Sequence, residues 1–488
     1  MRLGFRMVVS LRTFLSSFNR LVQAAGQPKF LALWFVLCAL PTGLGLIWNT
    51  PISEVPDEPG HALRADGLLH GQIFGYVPPG SPYAGILIDI GVLRASLDEL
   101  GPSFPMHPLP AAARQQARAE SWGPVVNMPT NMVQYFPALY VPAAAGIGLG
   151  RVLGMGPLIA LYMGQLGMLA SYLAMGFAAL RLAAFGRPLL FALLMLPMCL
   201  ELAASLSQDG QLIGAAALAA ALLTRGGQAR RWGLGLFCLA VCAKPPYAPL
   251  LLAWLLPLRA VGLTRRTLEV ALAALPPVFW LAVMLQYSYS PWQRPPYHPG
   301  PFWPGSHSIW LNGTSNAANL RCLLAYPAQI LLLPTRTLIS TWREMVPAMI
   351  GVFGWGPVFM RPWQYAGWGA ALAAGCGGVL AERRSGWRAA DAGFMLLLLV
   401  AAFLTMSLSL YLTWTDVGAY FIAGINGRYY LLLPPFLLLV LPGLGNHLPP
   451  GLGQKLAGLC CLPALVMAAL DIPALPALVR HVFGPGGL

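Results

Sequence analysis

The sequence predicts an all-α protein that crosses a membrane many times, and three observations lead there. Of its 488 residues, 57% are hydrophobic and 9% charged, against about 25% charged in a soluble domain, and the mean hydropathy is +0.65. The hydrophobic residues come in runs of about 20, the length a helix needs to cross a bilayer. Lipid offers no partner to open backbone groups, so such runs fold as helices. The net charge of +14 sits in short basic segments between the apolar runs. That is the positive-inside pattern, which points to membrane lipids and away from nucleic acid as a partner.

The elements follow in order. Residues 1–29 are basic, with Arg2, Arg6, Arg12 and Arg20 and no small-residue cleavage site after a short apolar core, so they read as the cytoplasmic flank of a retained anchor. A membrane domain is expected over 30–473 and a short tail over 474–488. The first span is Phe30 to Asn49. A large outer loop, about 50–134, holds half of the 16 acidic residues; so long a polar loop in a hydrophobic chain is usually functional. Tyr135 to Leu153 is apolar but broken by Pro137 and Pro142, and Gly146, Gly150 and Gly154 recur as a close-packing stripe. A full crossing here would put the basic cluster Arg225–Arg231 outside. A re-entrant or surface segment puts Arg181, Arg187, Arg225, Arg230 and Arg231 inside, and the charge rule favours it.

Leu158–Leu180, Leu189–Leu206 and Leu212–Leu223 come next. Trp232–Leu258 is interrupted by Lys244-Pro245-Pro246-Tyr247 and has basic flanks on both sides, so it reads as two short spans meeting at Lys244 near the outer face. Leu268–Gln286 leads to a second outer loop, about 287–326. Its aromatic residues, Trp292, Trp303 and Trp310 among them, form either an interfacial belt or a surface for sugar or lipid phosphate. Ile330–Met360, interrupted by Arg336, Arg343 and Glu344, is a hairpin or a half-buried helix. Trp368–Leu380 returns inward and Ala392–Trp414 goes out to a third loop, about 415–428. Tyr430–Leu444 and Leu456–Leu470 complete about 11 transmembrane helices. The eight cysteines show no ligand spacing; all but Cys322 lie in apolar runs, and neither a disulfide nor a zinc site is expected.

The densest chemistry lies in the stretch Ser53 to Gly71. Asp57 is placed to cap a short helix that Gly71 ends, and His61 and Arg64 follow on one face of it. The plain alternative is a solvated cap on an interfacial helix. On the expected topology Asp57, Glu58, Asp209, Lys244, Asp416 and Arg428 meet on the outer side, and ionisable groups near a bilayer usually mark function. No phosphate-cradling GxxxxGK[ST], G-x-S-x-G or HExxH motif is present. Glycosyl transfer from a lipid-linked sugar suits the set. Asp57, or His61, would take the acceptor's proton, with Glu58 as second carboxylate. Arg428, Lys244 and Arg64 would hold a donor phosphate, and Asp209 and Asp416 would orient the acceptor or a metal. Asp57 and Glu58 can also bind a divalent cation, Mg²⁺ or Mn²⁺. A transporter or flippase for an envelope glycan or lipid would use similar groups, more naturally buried mid-span, as at Glu201. A glycan polymerase or ligase is a third reading.

Five motifs occur in one order: Pro56-Asp-Glu-Pro-Gly-His-Ala-Leu-Arg64, Tyr135-Phe-Pro-Ala-Leu-Tyr-Val-Pro142, Ala204-Ser-Leu-Ser-Gln-Asp209, Lys244-Pro-Pro-Tyr247 and Gly427-Arg-Tyr429. In this the chain resembles the bacterial membrane family named domain of unknown function 2142, over roughly residues 30 to 445. That family is similar to the GT-C glycosyltransferases, whose first outer loop carries an acidic pair. The resemblance implies a GT-C-like bundle in a bacterial inner membrane, a polyprenyl-phosphate sugar donor, a glycan or lipid acceptor and an inverting transfer. Two positions depart from the family's usual residues: Gln208 stands for Tyr, and Asn426 for Gln.

Overall fold

The structure is a computed structural model that describes residues 16–17, 19–81, 84–100, 110–259, 263–288, 313–355, 358–382, 387–441, 447–449 and 451–484. The basic residues Arg2, Arg6 and Arg12 and the aromatic run from Tyr289 to Trp310 lie outside them.

The chain is predominantly helical. Helix α1 (Pro28–Asn49) leads into α2 (Glu58–Leu69) and a small outer unit made of β1 (Gly85–Asp89), α3 (Ile90–Leu100), α4 (Ala111–Ala119) and β2 (Val125–Pro129). Strands β1 and β2 pair antiparallel, Gly85 opposite Pro129 and Asp89 opposite Val125. Two 3₁₀ turns carry the chain to α5 (Val141–Val152), which packs back on α6 (Pro157–Leu182). Then follow α7 (Arg187–Leu194), α8 (Pro197–Ala203), α9 (Gln208–Arg225), α10 (Gly227–Ala243), a 3₁₀ stretch (Pro245–Leu255) and α11 (Leu263–Val283). The last third holds α12 (Asn316–Ala325), α13 (Gln329–Ile350), the hairpin β3 (Val352–Phe353) with β4 (Val358–Phe359), α14 (Pro362–Ala381), α15 (Ala389–Trp414), a 3₁₀ turn (Gly427–Tyr430), α16 (Leu437–Val440) and α17 (Leu452–Phe483). Among the described residues two small sheets depart from an all-α chain.

Among the described residues five helices, α1, α6, the α11 segment, α15 and α17, are long and apolar enough to cross a membrane. The number rises to seven if α8 with α9, bent by 118°, and α12 with α13, bent by 107°, each count as one span. About eleven apolar segments stand in the sequence because several of them break at prolines. A residue before proline is pushed out of the helical region, and Leu196 before Pro197 (ψ 134) and Lys244 before Pro245 (ψ 85) both leave it. Leu189–Leu206 thus folds as α7 and α8, and Trp232–Leu258 as α10 and the 3₁₀ stretch. Tyr430–Leu444 begins as short turns.

The ambiguous Tyr135–Leu153 segment holds the 3₁₀ turn Pro137–Tyr140 and the 12 residues of α5; α5 is about 18 Å long, short of a full crossing. Gly146 explains its fit against α6: a Cβ there would stand 2.1 Å from the carbonyl oxygen of Met163. Gly154 is not part of that packing; with φ +72 it makes the turn between the two helices. The basic segments gather at one end of the bundle. Arg225 Nε donates to Leu182 O at 2.6 Å, and Gly186 N to Glu382 at 2.6 Å. Asp209 begins α9 and Arg225 ends it, which puts them about 25 Å apart. Cys322 lies buried on α12, not in a loop.

Candidate functional site

Asp57 occupies the residue before α2, but it does not cap the helix as the sequence led one to expect. Its backbone is left-handed (φ 69) and its side chain makes no capping bond. Asp and Asn tolerate that conformation where most residues are strained. The carboxylate turns instead to the last motif of the chain, where Arg428 Nη2 donates to Asp57 Oδ2. Arg428 Nη1 donates to the Pro56 carbonyl at 3.0 Å. Arg428 is held by its own turn: Asn426 Oδ1 accepts its backbone N–H at 3.0 Å, a short-range bond that suits Asn, with its short side chain. Gly427 lets the turn press on α13, since a Cβ would meet the Met345 carbonyl oxygen at 2.2 Å.

A second ion pair lies beside the first. Ser207 caps α9 and presents Asp209, whose Oδ1 takes Lys244 Nζ at 2.6 Å. Lys244 stands at the Pro-forced break after α10. Tyr429 joins the two pairs: Lys244 Nζ and Arg428 Cζ each lie 5.1 Å from its ring centroid. Tyr247 donates its hydroxyl to the Tyr429 carbonyl. The Lys-Pro-Pro-Tyr and Gly-Arg-Tyr motifs are therefore one unit of structure.

The remaining residues of the opening motif brace this unit. Glu58 is fully buried, and its two oxygens accept Gln165 Nε2 at 2.9 Å, Leu206 N at 2.8 Å and Ser53 N at 2.9 Å. Burial raises its pKa above the ordinary carboxylate value, and those three donors only partly offset it. Glu58 is thus a tie between α2, α6 and the α8–α9 bend, not a second carboxylate beside Asp57. In the structure the Glu58 oxygens are taken by three donors and Asp57 is joined to Arg428. Among the described residues no three His, Cys, Asp or Glu side chains gather for a metal. Arg64 is buried as well. Its Nε and Nη2 donate to the Tyr135 carbonyl at 3.1 and 3.0 Å, and Nη2 to the Ile73 carbonyl at 2.8 Å. It closes the outer unit onto the Tyr135 turn and offers no free fork to a phosphate. Asp66 and Asp89 are also braces: Asp89 N donates to Asp66 at 2.7 Å, and Asp89 Oδ1 accepts Gly91 N and Gly123 N at 2.9 and 2.8 Å.

His61 Nδ1 lies 2.6 Å from the Tyr140 hydroxyl. Burial pulls its pKa down to about 4, against the pull of Asp209 and Asp57, so the ring is neutral at ordinary pH and is a weak base. The unfolded chain binds that proton near pH 6.5. Between about 6.5 and 4 the unfolded state therefore holds more protons, and stability falls as pH falls. His61→Gln should flatten that fall. Glu58, with its raised pKa, acts in the opposite sense, so the comparison is of melting temperature across pH 7 to 4 in His61→Gln and wild type. Identical slopes would show that the ring titrates alike folded and unfolded.

A cavity of about 870 Å³ opens beside Asp57 and Arg428, within the usual size of small-molecule sites. The Asp57 side chain is 37% exposed. Tyr429, Glu201 and Glu344 add polar groups to the wall; Trp355, Phe359, Trp414, Leu410 and Met345 line it with apolar surface. Of the residues expected from sequence, Asp57 and Arg428 line this cavity, and Asp209 with Lys244 stands in contact with Tyr429. Glu58, His61 and Arg64 pack around it without lining it, and Asp416 is buried away from the lining. Tyr429, Trp355 and Glu344 were not singled out as site residues. Glu344 carried a signal as one of the charges that interrupt an apolar run.

A family model described as "Predicted membrane protein (DUF2142)" matches residues 40–440. No curated protein and no solved structure matches the chain. The match takes in all five motifs, which the ion pairs, Tyr429 and the braces around them bring together. It covers the greater part of the sequence, and the chain belongs to this family of predicted membrane proteins, domain of unknown function 2142.

Proposed function

We propose that the protein is a membrane glycosyltransferase that moves a sugar from a polyprenyl-phosphate donor to a glycan or lipid acceptor of the cell envelope. The observation that carries this reading is the half-exposed Asp57 carboxylate beside Arg428 in a cavity with aromatic and aliphatic walls. A polar end beside apolar walls suits a phosphate and a sugar on an isoprenoid chain. The acceptor hydroxyl attacks the anomeric carbon and gives its proton to Asp57. The bond from that carbon to the phosphate oxygen breaks, and its electron pair leaves with the phosphate. Arg428 offsets the charge that grows there. Lys244, held by Asp209 and Tyr429, positions the Arg428 turn. In this reading the site faces out of a bacterial inner membrane and the N-terminus faces the cytoplasm; the positive-inside pattern of the basic segments supports that orientation.

The test uses detergent-solubilised protein with no gradient, given polyprenyl-phosphate sugars and extracted envelope acceptor. Product should form. Arg428→Lys keeps the charge and loses the fork, so the affinity for polyprenyl phosphate should fall about tenfold. Activity seen only in sealed vesicles under an imposed proton gradient would replace the enzyme with a transporter. Unchanged affinity in Arg428→Lys would remove Arg428 from the phosphate site.

A further inference from the structure

Glu201 stands within an otherwise apolar run, Leu189 to Ala204, and a carboxyl group there is costly to keep. It lies on α8, is 2% exposed and lines the cavity. Its Oε1 accepts Gly354 N at 2.9 Å. Its Oε2 is buried and has no hydrogen-bond partner among the described residues. A buried polar atom left so calls for an explanation, and the reaction scheme above does not use it. Gly354 opens the turn between β3 and β4, and Trp355 follows it. The indole Nε1 donates to the Ser53 carbonyl at 2.7 Å, and Ser53 N is in turn held by Glu58. The Trp355 ring is thus pinned by one edge, while the residue is 38% exposed and lines the cavity.

We propose that Glu201 and Trp355 form the subsite for the sugar ring of the donor. The indole offers an apolar face to the C–H side of a pyranose or furanose, and Glu201 Oε2 accepts from one of its hydroxyls. A carboxyl acceptor on α8 and a flat apolar surface from the neighbouring β3–β4 turn are what such a ring, apolar on its faces and polar around its rim, can satisfy together. The donor's ring is chosen over the acceptor's because it is bonded directly to the phosphate. The guanidinium assigned to that phosphate lines the same cavity as Glu201. This inference rests on the glycosyltransferase reading and adds the residues that recognise the transferred group.

The experiment measures the affinity of the full-length protein for polyprenyl phosphate without a sugar and for the same lipid phosphate carrying glucose, mannose, N-acetylglucosamine or arabinose. Wild type should bind one of the glycosylated lipids roughly tenfold more tightly than the bare one. Glu201→Gln keeps an acceptor for Gly354 N and replaces the second carboxyl oxygen with an amide NH₂, which cannot accept. Trp355→Ala removes the ring. Each should bring the ratio close to one with the bare lipid bound as before. Trp355→Phe keeps an aromatic face and loses only the tie to Ser53, so it should retain most of the ratio. A ratio unchanged in both Glu201→Gln and Trp355→Ala, or wild type binding all the lipids equally, overturns the subsite while the phosphate site stands. If wild type binds no polyprenyl phosphate, the glycosyltransferase reading itself falls and this inference falls with it.

Discussion

Asp57→Asn will lower turnover about 100-fold or more, the range for loss of a general base, and will tighten the binding of polyprenyl phosphate. The two effects have one cause. In the free protein Asp57 accepts from Arg428 Nη2, so the base and the phosphate compete for one guanidinium. Phosphate that draws Arg428 to itself frees the carboxylate to take a proton only when the donor is present. Asparagine cannot take that proton, and its neutral oxygen holds Arg428 less firmly. An ion pair with a 37% exposed carboxylate is worth at most about 1 kcal/mol, so the affinity gain should be roughly three- to fivefold. The fold should survive, because Asn tolerates the left-handed conformation at residue 57 as Asp does. Turnover at the wild-type rate would remove Asp57 as the base. Weaker phosphate binding in this variant would show that Asp57 holds Arg428 in place for the ligand and does not compete with it.

The membrane class and most of the long helices were legible in the sequence, because both follow from runs of apolar residues. The helix after Asp57 was legible as well, down to its end at Leu69 before Gly71. The motifs do meet, and the positive-inside pattern was enough to bring Asp57, Asp209, Lys244 and Arg428 to one end. What each carboxylate does there was not legible. Glu58 differs from Asp57 by one position, yet it is buried against Gln165 and Leu206, which are 107 and 148 residues away. Nothing local to the motif records those partners. The acidic first loop looked like a reservoir of catalytic groups, but Glu58, Asp66 and Asp89 are ties that hold it together. Tyr429 was read as part of a motif, without a role, because its contacts with Lys244 exist only once two distant breaks pack side by side. Glu201 was noticed for being an ionisable residue in an apolar run, and the β3–β4 turn, distant in sequence, gives its carboxyl a donor in Gly354 N.

Arg64 separates bracing from binding most sharply. As a phosphate ligand it would tolerate replacement with no loss of stability and would lose donor affinity instead. In the structure its side chain is buried and its guanidinium is shared among the carbonyls of Tyr135, Ile73 and, at 3.4 Å, Gln72. Burial already draws its pKa down to about 10, a sign of how little water reaches it. Arg64→Met keeps much of the side-chain volume and leaves those carbonyls without a donor. Each buried group so orphaned costs about 1–3 kcal/mol, partly offset by no longer burying a charge, so a net loss of about 2–4 kcal/mol is expected. The outer unit from Gln72 to Tyr135 should loosen first, because Arg64 is what fastens both of its ends to α2. Limited proteolysis should cut there in Arg64→Met at a temperature where wild type is intact, and the melting temperature should drop by several degrees. Arg428→Gln should give the opposite result, with little change in proteolysis and a large loss of affinity for polyprenyl phosphate. If Arg64→Met instead kept its melting temperature and lost only that affinity, the guanidinium would have to leave its three carbonyls when the donor arrives, and the phosphate site would extend beneath Tyr135 to α2.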